Sequence, residues 1–396
     1  MEIARTNKSR SVAFVSTMSG TRWGGSEELW HGTAMRMLGQ GHQVGASVYH
    51  WPDRPHQIAE LCDAGCRMDF RPRKKSIQRR VVEKVFRRGS SNGVSDESLH
   101  WLREMAPDLV LISQGFPLEG IAWMLACRKL GIRYASVIQA ASEIWWPPDD
   151  MLDDLRGAYA GAAGLYFVSK ANRSLMEMQC GTRFENASVV SNPWKVDVND
   201  CMPWPKDNGM LELAFVGRMD PRAKGQDVLL DVLAMDKWRA RPLRVNFYGS
   251  GPCEGSIRRL SEMLDLGNVR FHGQVSDIES IWGNNHALVL PSRFEGLPLV
   301  IVEAMLCGRM IITTDVAGNA EYLTDGVNGF VAAAPTRMLL DEAMERAWSA
   351  RGEWKGMGEN ARKAVLASVP SDPIGKFANE LISLVEADVA HTGFQE

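Results

Sequence analysis

Short apolar runs typical of β-strands alternate with helix-forming stretches, and this alternation occurs twice along the 396-residue chain. The first series runs from VAFVST at residue 12 to GLYFVS at residue 164, and the second from LELAFVG at residue 211 to MIITTD at residue 310. Parallel strands covered by crossover helices on both faces are apolar almost throughout, as these runs are. We therefore predict an α/β fold with two doubly wound, Rossmann-like domains facing across a cleft.

A polar stretch that contains proline, KVDVNDCMPWPKDNGM, interrupts the alternation and is typical of a linker. After the second series, apolar side chains recur at helical spacing up to residue 389. We expect a first domain over residues 1–195, a linker over 196–209, a second domain over 210–370 and a C-terminal helix within 371–396. That last helix is expected to return to the first domain.

Composition excludes several classes of protein. The net charge of -3 and the pI near 6.3 give no global reason to expect a nucleic-acid partner. The seven cysteines are scattered without a CxxC pair, which favours reduced thiols over a disulfide framework or a zinc site. No stretch reaches the roughly 18 to 20 apolar residues that span a bilayer, and the N-terminus lacks the apolar region of a signal peptide. We predict a cytoplasmic protein, either soluble or peripheral on the cytoplasmic membrane face.

One local charge signal stands out, between Cys66 and Arg88. It contains ten basic and two acidic residues, 10 − 2 = +8, with apolar residues at helical spacing. A basic amphipathic helix either lies on an anionic membrane or packs normally with a solvated basic face. Both readings stay open, and the membrane contact, if it forms, is expected through residues 71–88.

In open α/β sheets, ligands bind at the carboxyl ends of the strands. Gly24 and Gly25 follow the first strand, so this turn either places a helix N-terminus near an anion or merely needs glycine. A GxGxxG fingerprint is absent there. In the second domain Arg218 follows a strand and Lys224 lies six residues later, which suits a diphosphate but also two exposed surface cations.

The stretch RFEGLPLVIVEAMLCG, residues 293–308, contains two glutamates among mostly apolar residues. Glu295 falls in the loop after the strand HALVLPS, and a helix is expected to begin near Pro298. Glu303 is the only charge in that apolar helix, and a buried carboxylate needs hydrogen-bond donors. A pair of ligand hydroxyls, such as those of a ribose, would supply them; a structural glutamate tied to a backbone amide or an arginine is the alternative.

These motifs resemble those of a known family. FVGRMDPRAKGQDVLL and PSRFEGLPLVIVEAMLCGRMIITTDVAGNAEYLTDGVNGF are similar to the carboxyl-terminal half of the retaining GT-B glycosyltransferases of family 4, also called glycosyl transferases group 1. GGSEELWHGTAMRMLGQGHQV and SNPW resemble segments of that family's first half, so the resemblance spans nearly the whole chain. It implies the GT-B fold and a metal-independent, retaining hexosyltransferase that uses a nucleotide-diphosphate sugar, UDP- or GDP-linked.

The resemblance also implies roles for individual residues. Arg218 and Lys224 would hold the donor diphosphate and stabilise its charge as it leaves, and Glu295 would contact hydroxyls of the transferred sugar. Glu303 would accept from the ribose hydroxyls, and Gly25 would approach the phosphates from the first domain. The backbone that lines the sugar and phosphate would be that of Gly296, Leu297, Pro298 and Leu299. The family needs no cofactor and no metal, and no convincing D-x-D motif occurs here.

The chain departs from the family at one position. Many members have histidine at the end of the strand that reads YASVIQ here, where this chain has Gln139. Glutamine forms hydrogen bonds but does not titrate, so acid–base work at this position is excluded. Glu143, in the loop ASEIWWPPDD, is either an acceptor contact or part of a structural loop. The expected acceptor is a hydroxyl of a saccharide, a lipid-linked saccharide or a small molecule.

Three other functions compete with this one. A sugar-nucleotide epimerase of GT-B architecture would need acid–base residues at the sugar ring, which Gln139 does not provide. A non-catalytic sugar-nucleotide-binding protein would bind the donor and release no diphosphate. An NAD-dependent oxidoreductase is disfavoured because the glycine cluster GSGPCEG, residues 249–255, lacks the GxGxxG spacing.

Overall fold

The computed structural model describes residues 9–73, 93–199, 202–206 and 208–392, with side chains up to residue 387. It divides into two compact units: Met1–Pro193 together with Asp372–Glu396, and Trp194–Ser371. The basic segment singled out above lies, beyond Arg73, outside the described residues. None of the six described cysteines forms a disulfide. Within these ranges, no helix is both long enough and apolar enough to cross a membrane.

The first unit is built on a seven-stranded sheet with the order β3-β2-β1-β4-β5-β6-β7, in which every pair is parallel. The central strand β4 is buried along its whole length because helices cover both faces of the sheet. The strands are β1 (Ser11–Ser16), β2 (Gln43–Tyr49), β3 (Arg67–Arg71), β4 (Leu109–Gln114), β5 (Tyr134–Ile138), β6 (Gly164–Phe167) and β7 (Ala187–Val189).

The helices of this unit start and stop at residues suited to capping. Ser95 and Ser169 precede two of them, and each side chain accepts a hydrogen bond from the third backbone amide of its helix. Gly131 ends another helix, and Gly181 ends the helix that follows Ser169, both in the left-handed region. The helices are α1 (Glu28–Gly39), α2 (His56–Asp63), α3 (Asp96–Met105), α4 (Ile121–Leu130), α5 (Asp149–Ala160) and α6 (Lys170–Cys180), with short 3-10 turns at Gly25–Glu27 and Glu143–Trp145.

The second unit has a six-stranded parallel sheet with the order β10-β9-β8-β11-β12-β13. Its strands are β8 (Leu211–Val216), β9 (Leu243–Tyr248), β10 (Val269–Gly273), β11 (Ala287–Leu290), β12 (Met310–Thr314) and β13 (Gly329–Ala332). The chain order reverses between β8 and β11, as it does between β1 and β4 in the first unit, and ligands of open α/β sheets bind at such points. The prediction of two Rossmann-like, parallel-sheet domains is confirmed.

The helices of the second unit cover both faces of its sheet. They are α7 (Pro221–Lys224), α8 (Gln226–Leu233), α9 (Asp236–Arg239), α10 (Glu254–Met263), α11 (Ile278–Asn284), α12 (Leu299–Leu306), α13 (Arg337–Ser349) and α14 (Trp354–Ser368), with a 3-10 turn at Arg351–Glu353. Helix α12 is buried on nearly every side, which explains why its sequence is apolar almost throughout.

Residues 196–209, expected to be a linker, are grouped with the second unit where the structure describes them. The Arg309 guanidinium donates to the carbonyl oxygen of Pro203 over 2.6 Å, and it lies 5.3 Å from the ring centre of Trp204. The Trp204 ring packs edge-on against His286, at 5.4 Å between ring centres. This segment is therefore fixed to the second unit by an aromatic and cationic cluster.

The last helix, α15 (Pro373–Thr392), packs on the first unit. Gly32 on α1 leaves room for Ile374, since a Cβ at that glycine would lie 2.4 Å from the Ile374 side chain. Arg36 forms an ion pair with Asp372 at 3.0 Å. Phe377 is buried against the ring of Tyr166, so α15 contributes to the core of the first unit.

Candidate functional site

The loop after β8 carries the first predicted cation. Arg218 is about two-fifths exposed, and its guanidinium donates to Asp220 over 3.2 Å. Asp220 is buried just before α7 and also accepts from Arg222 over 3.1 Å. The Gln226 side chain donates to the carbonyl oxygen of Arg218 over 2.8 Å. The backbone of Arg218 is thus fixed, while its charged end keeps contact with solvent.

Gly225 joins α7 to α8 and brings this loop against the end of β11. Its φ of +66° lies in the left-handed region, and a Cβ there would lie 2.0 Å from the carbonyl oxygen of Pro291. Glycine is therefore required on two grounds, backbone conformation and close approach. The approach places Lys224 beside the loop that contains Glu295.

Lys224 and Glu295, predicted as separate ligand contacts, form an ion pair with each other. The Lys224 ammonium lies 2.5 Å from Glu295 Oε1, and the side chains are 18% and 10% exposed. Ser292 Oγ donates to the same oxygen over 2.7 Å. The carboxylate is thereby held in one orientation by a cation and a hydroxyl.

The rest of the 291–298 loop is held by similar contacts. Arg293 binds the carboxylate of Asp227 with two hydrogen bonds, of 2.6 and 2.8 Å, and its amide donates to the carbonyl of Ala223. Burial, the largest influence, would raise the pKa of Asp227, but hydrogen bonding to Arg293 and its charge together lower it. The carbonyl of Gly296 accepts from Gly318 over 2.8 Å. The loop is therefore preorganised by its own unit before any ligand arrives.

Glu303 lies on α12, which begins at Leu299 directly after Pro298. Its side chain is buried, and Oε1 accepts a hydrogen bond from the backbone amide of Lys195 over 3.1 Å. A backbone amide is one of the partners named for a structural glutamate, while ribose hydroxyls stay the partners that the family resemblance implies. Leu297, in the loop before this helix, is also buried.

The three residues predicted to contribute from the first unit, Gly25, Gln139 and Glu143, differ in burial and in hydrogen bonding. Gly25 begins the 3-10 turn that leads into α1. Gln139 is buried, and its side-chain amide exchanges two hydrogen bonds with Asn192, of 2.7 and 3.3 Å. Glu143 is exposed at the start of a 3-10 turn, next to Trp145, whose ring packs 4.1 Å from that of Phe116. The amide of Gln139 is thus engaged within the unit, whereas Glu143 faces solvent.

Sequence reasoning missed a further buried carboxyl group, Glu27. It lies just after Gly25, and Ser16 at the end of β1 donates a hydrogen bond of 2.5 Å to it. Burial raises the pKa of Glu27 to about 7, although the hydrogen bond from Ser16 acts in the opposite direction. The available signal was an acidic residue directly after the glycine turn, but its neighbour Glu28 is also acidic and the pattern does not say which is buried.

Among the residues that the structure describes, no three His, Cys, Asp or Glu side chains are grouped so as to hold a metal ion.

Comparison with known proteins gives matches in sequence and in fold. Residues 211–349 match the family model described as "Glycosyl transferases group 1". An uncharacterized 41.2 kDa protein in the cps region of Klebsiella pneumoniae is 32% identical over 123 residues, 31% of this chain and 32% of that protein. The O-antigen chain mannosyltransferase C of Escherichia coli is 26% identical over 190 residues, 46% of this chain and 50% of that protein. The chain thus spans half or less of the length of these relatives.

Among solved structures, Anabaena HepE in complex with UDP superposes with a TM-score of 0.71 at 17% identity, covering 94% of this chain and all of that one. At this identity the likeness establishes the fold. The chain therefore has the GT-B fold, and residues 211–349 of its second unit are similar to the group 1 glycosyltransferases.

Proposed function

We propose that the chain is a retaining, metal-independent glycosyltransferase that moves a hexose from a UDP- or GDP-linked donor to a hydroxyl of a saccharide, a lipid-linked saccharide or a small molecule. The observation that carries this proposal is the convergence of Arg218, Lys224 and Glu295 at the carboxyl ends of β8 and β11, where the strand order reverses. This is the part of an open α/β sheet where ligands bind.

The two cations would act on the leaving group. When the bond between the sugar and the diphosphate breaks, negative charge develops on the diphosphate and positive character on the sugar. The acceptor oxygen then bonds to the same face of the sugar, and its proton passes to the departing diphosphate oxygen. Arg218, with its exposed guanidinium, and Lys224 would stabilise the diphosphate charge. The Lys224–Glu295 ion pair would place a cation and a hydroxyl-binding carboxylate side by side, and so align the sugar ring with its leaving group.

Glu303 would bind the ribose, and the backbone of residues 296–299 would line the sugar and phosphates. One oxygen of Glu303 already accepts from the Lys195 amide, which holds the carboxylate in place. In the first unit, Gly25 is proposed for the donor phosphates, and Gln139 and Glu143 for the acceptor. Of these two, Glu143 has the more suitable surroundings because it is exposed.

The names of similar proteins, and the ligands named with them, support the choice of donor. Anabaena HepE was crystallised with UDP and with UDP-glucose, and the E. coli relative is a mannosyltransferase. An origin in polysaccharide biosynthesis fits the cps-region relative. We place the reaction in the cytoplasm, at the membrane surface if the acceptor is lipid-linked.

A donor panel tests the reaction. Purified protein is incubated with UDP-, GDP- and ADP-sugars, with and without saccharide acceptors, and release of the nucleoside diphosphate is measured. Proton NMR of the product gives the anomeric configuration, which is expected to be that of the donor. Donor binding without turnover or hydrolysis would replace this proposal by the non-catalytic binding protein, and a changed sugar without transfer would favour the epimerase.

Two substitutions assign the carboxylates. Glu303→Ala is expected to weaken donor binding by about tenfold to a hundredfold, since a hydrogen bond to a charged group contributes about 1.5–3 kcal/mol. Glu295→Ala is expected to reduce transfer by a similar factor with a smaller effect on binding. Glu345→Ala is the control, because this carboxylate pairs with a cation, Arg241, as Glu295 pairs with Lys224, but lies on α13, away from the site residues. Equal effects of all three substitutions would refute both assignments.

A further inference from the structure

A series of buried hydrogen bonds leads from the end of β12 to the loop that contains Glu295. Thr314, the last residue of β12, donates from Oγ1 to the carbonyl oxygen of Ser292 over 2.7 Å. Ser292 Oγ in turn donates over 2.7 Å to Glu295 Oε1, the oxygen that also pairs with Lys224. Thr314 thus fixes the backbone of the residue whose hydroxyl holds the carboxylate.

Asn319 lies at the far end of this series. Its side-chain nitrogen, Nδ2, donates to Oγ1 of Thr313 over 3.1 Å and to Oγ1 of Thr314 over 3.4 Å. Each threonine hydroxyl gives its one proton to a carbonyl oxygen, that of Leu290 or of Ser292, so both hydroxyls are left to accept. The hydrogen bonds therefore determine the orientation of the Asn319 amide, with Nδ2 toward the threonines.

This orientation is unfavourable for Asn319 itself. The residue is fully buried, as are Ser292 and Thr314, and its Oδ1 has no hydrogen-bond donor among the residues that the structure describes. A buried acceptor without a donor lowers stability. Ala317, two residues earlier, has a φ of +49°, in the left-handed region that favours glycine. Local strain of this kind persists where the surrounding structure requires one conformation, and it is frequent at functional sites.

The same segment also contacts the loop on the other side of Glu295. The amide of Gly318 donates to the carbonyl oxygen of Gly296 over 2.8 Å. The backbone is therefore held both before Glu295, at Ser292, and directly after it. The orientation of the carboxylate depends on residues that do not touch it.

We propose that Thr314 and Asn319 are positioning residues, which act through Ser292. They orient the carboxylate of Glu295 in its ion pair with Lys224, and so align the sugar that is transferred. A displacement of about 1 Å in a group that positions a substrate reduces the rate by up to about a hundredfold. The alignment of the sugar rests on the transferase function proposed above, whereas the orientation of the ion pair does not.

The first test needs no ligand. Thr314→Val removes the hydroxyl and keeps the shape of the side chain, and it is combined with Lys224→Met in a double-mutant cycle. Urea unfolding of the second unit is followed by circular dichroism. If Thr314 orients the ion pair, the effect of Lys224→Met on the unfolding equilibrium constant should be at least about fivefold smaller in the Thr314→Val background. Additive effects would overturn the proposal.

The matched control for this cycle is Thr33 on α1. It is also a fully buried threonine that donates to a backbone carbonyl, that of Leu29, over 2.7 Å. Thr33→Val and Lys224→Met should be additive within about twofold in the unfolding equilibrium constant. A departure from additivity as large as that of Thr314→Val would show a general loss of stability and would contradict a specific link to the ion pair.

The second test measures binding and transfer separately. UDP, GDP, UDP-glucose and GDP-mannose are titrated into the wild type and Thr314→Val, and kcat is measured with the donor that the wild type uses. The nucleoside diphosphates carry no sugar, so their affinities should stay within about twofold of the wild-type values, while kcat for transfer falls about tenfold. Equal losses of nucleoside diphosphate binding and of transfer would mean that the whole loop is disordered, and would refute a positioning role.

Two further variants test the hydrogen bonds themselves. Thr314→Ser keeps the hydroxyl and should retain transfer within about twofold of the wild type; a loss as large as that of Thr314→Val would mean that the hydroxyl is not the cause. Asn319→Ala removes the donor to both threonines and should lower kcat about threefold to tenfold. Asn319→Ala takes the place of Thr314→Val in both tests if that variant does not fold.

The two tests together separate this inference from the proposed function. If the cycle is non-additive but no nucleotide sugar is bound or turned over, the transferase proposal fails and the orientation of the ion pair stands. If donors are turned over but the cycle is additive, the positioning role fails alone. If the cycle is non-additive and Thr314→Val transfers as fast as the wild type, the role in aligning the sugar is refuted.

Discussion

Glu27 in the first unit and Glu295 in the second occupy comparable places in two similar sheets, yet they are stabilised in different ways. Each is at most a tenth exposed and follows a central strand, β1 or β11. Glu295 forms an ion pair with Lys224, whereas the closest donor to Glu27 is the neutral hydroxyl of Ser16. Burial raises the pKa of Glu27 to about 7. The same edge of the same fold therefore presents a proton-binding carboxyl group in one unit and a fixed ion pair in the other.

The largest effect is expected from breaking the close approach on which the ion pair depends. Gly225→Ala would place a Cβ 2.0 Å from the Pro291 carbonyl in a left-handed backbone, and should lower the free energy of unfolding of the second unit by at least about 3 kcal/mol. Urea unfolding followed by circular dichroism measures this loss. Donor binding should fall with it, because the Glu295 loop is displaced.

Two other glycines serve as controls for this substitution. Gly283→Ala on α11 meets no atom within 4 Å and should be neutral or slightly stabilising. Gly326 has a positive φ of +75°, but a Cβ there would meet no atom within 4 Å. Gly326→Ala therefore measures the cost of the left-handed backbone alone. If Gly225→Ala lowers the free energy of unfolding no more than Gly326→Ala does, the close contact with Pro291 does not hold the loop in place.

The next effect is a pH dependence specific to the first unit. The pKa of Glu27 is raised from 4.5 to about 7 on folding, so the folded state binds more protons between these values. Its stability contribution is fully present below pH 4.5 and is lost as the pH rises through 7, a change of roughly 3 kcal/mol. Glu27→Gln should remove this part of the pH dependence and should be more stable than the wild type at pH 8.

Urea unfolding at a series of pH values, followed by tryptophan fluorescence, compares the two proteins. Glu185→Gln, at an exposed glutamate of the same unit, should keep the wild-type slope. A slope that is identical in Glu27→Gln and the wild type would mean that the buried carboxyl group does not take up a proton on folding.

The smallest effects are the coupling energies of the Lys224–Glu295 pair and the Ser16–Glu27 pair. Their ratio tests whether the two glutamates are stabilised in different ways. A double-mutant cycle of Lys224→Met and Glu295→Gln should give a coupling of about 2 kcal/mol, because it removes a charged pair. The cycle of Ser16→Ala and Glu27→Gln should give about 1 kcal/mol or less, as expected for a neutral hydrogen bond. Both are measured as differences in unfolding free energy. Equal couplings would remove the distinction between the two units.

The fold could be predicted because the central strands, such as β4 and β12, are apolar on both faces, and most crossovers are long enough for a helix. The burial of Glu303 was also predictable, since α12 is apolar around its whole circumference. In both cases the information is local in sequence and follows from the period of the pattern.

The ion pair within the candidate site could not be predicted from local sequence patterns. Lys224 and Glu295 are 71 residues apart, and they meet because Gly225 touches Pro291, a contact that no spacing encodes. The Gln139 amide is engaged by Asn192, 53 residues later, and no local pattern predicts that contact. The expected linker is polar overall, so its sequence does not indicate that Trp204 packs against His286 and Arg309.

The place of α15 in the core of the first unit has a consequence for biosynthesis. This helix is synthesised after all 178 residues from Trp194 to Ser371, whereas its partner α1 is synthesised before them. Until α15 arrives, the surface around Gly32 and Tyr166 is uncovered, and the nascent first unit carries an apolar groove. The second unit, which is continuous in sequence, is able to finish folding before the first one does.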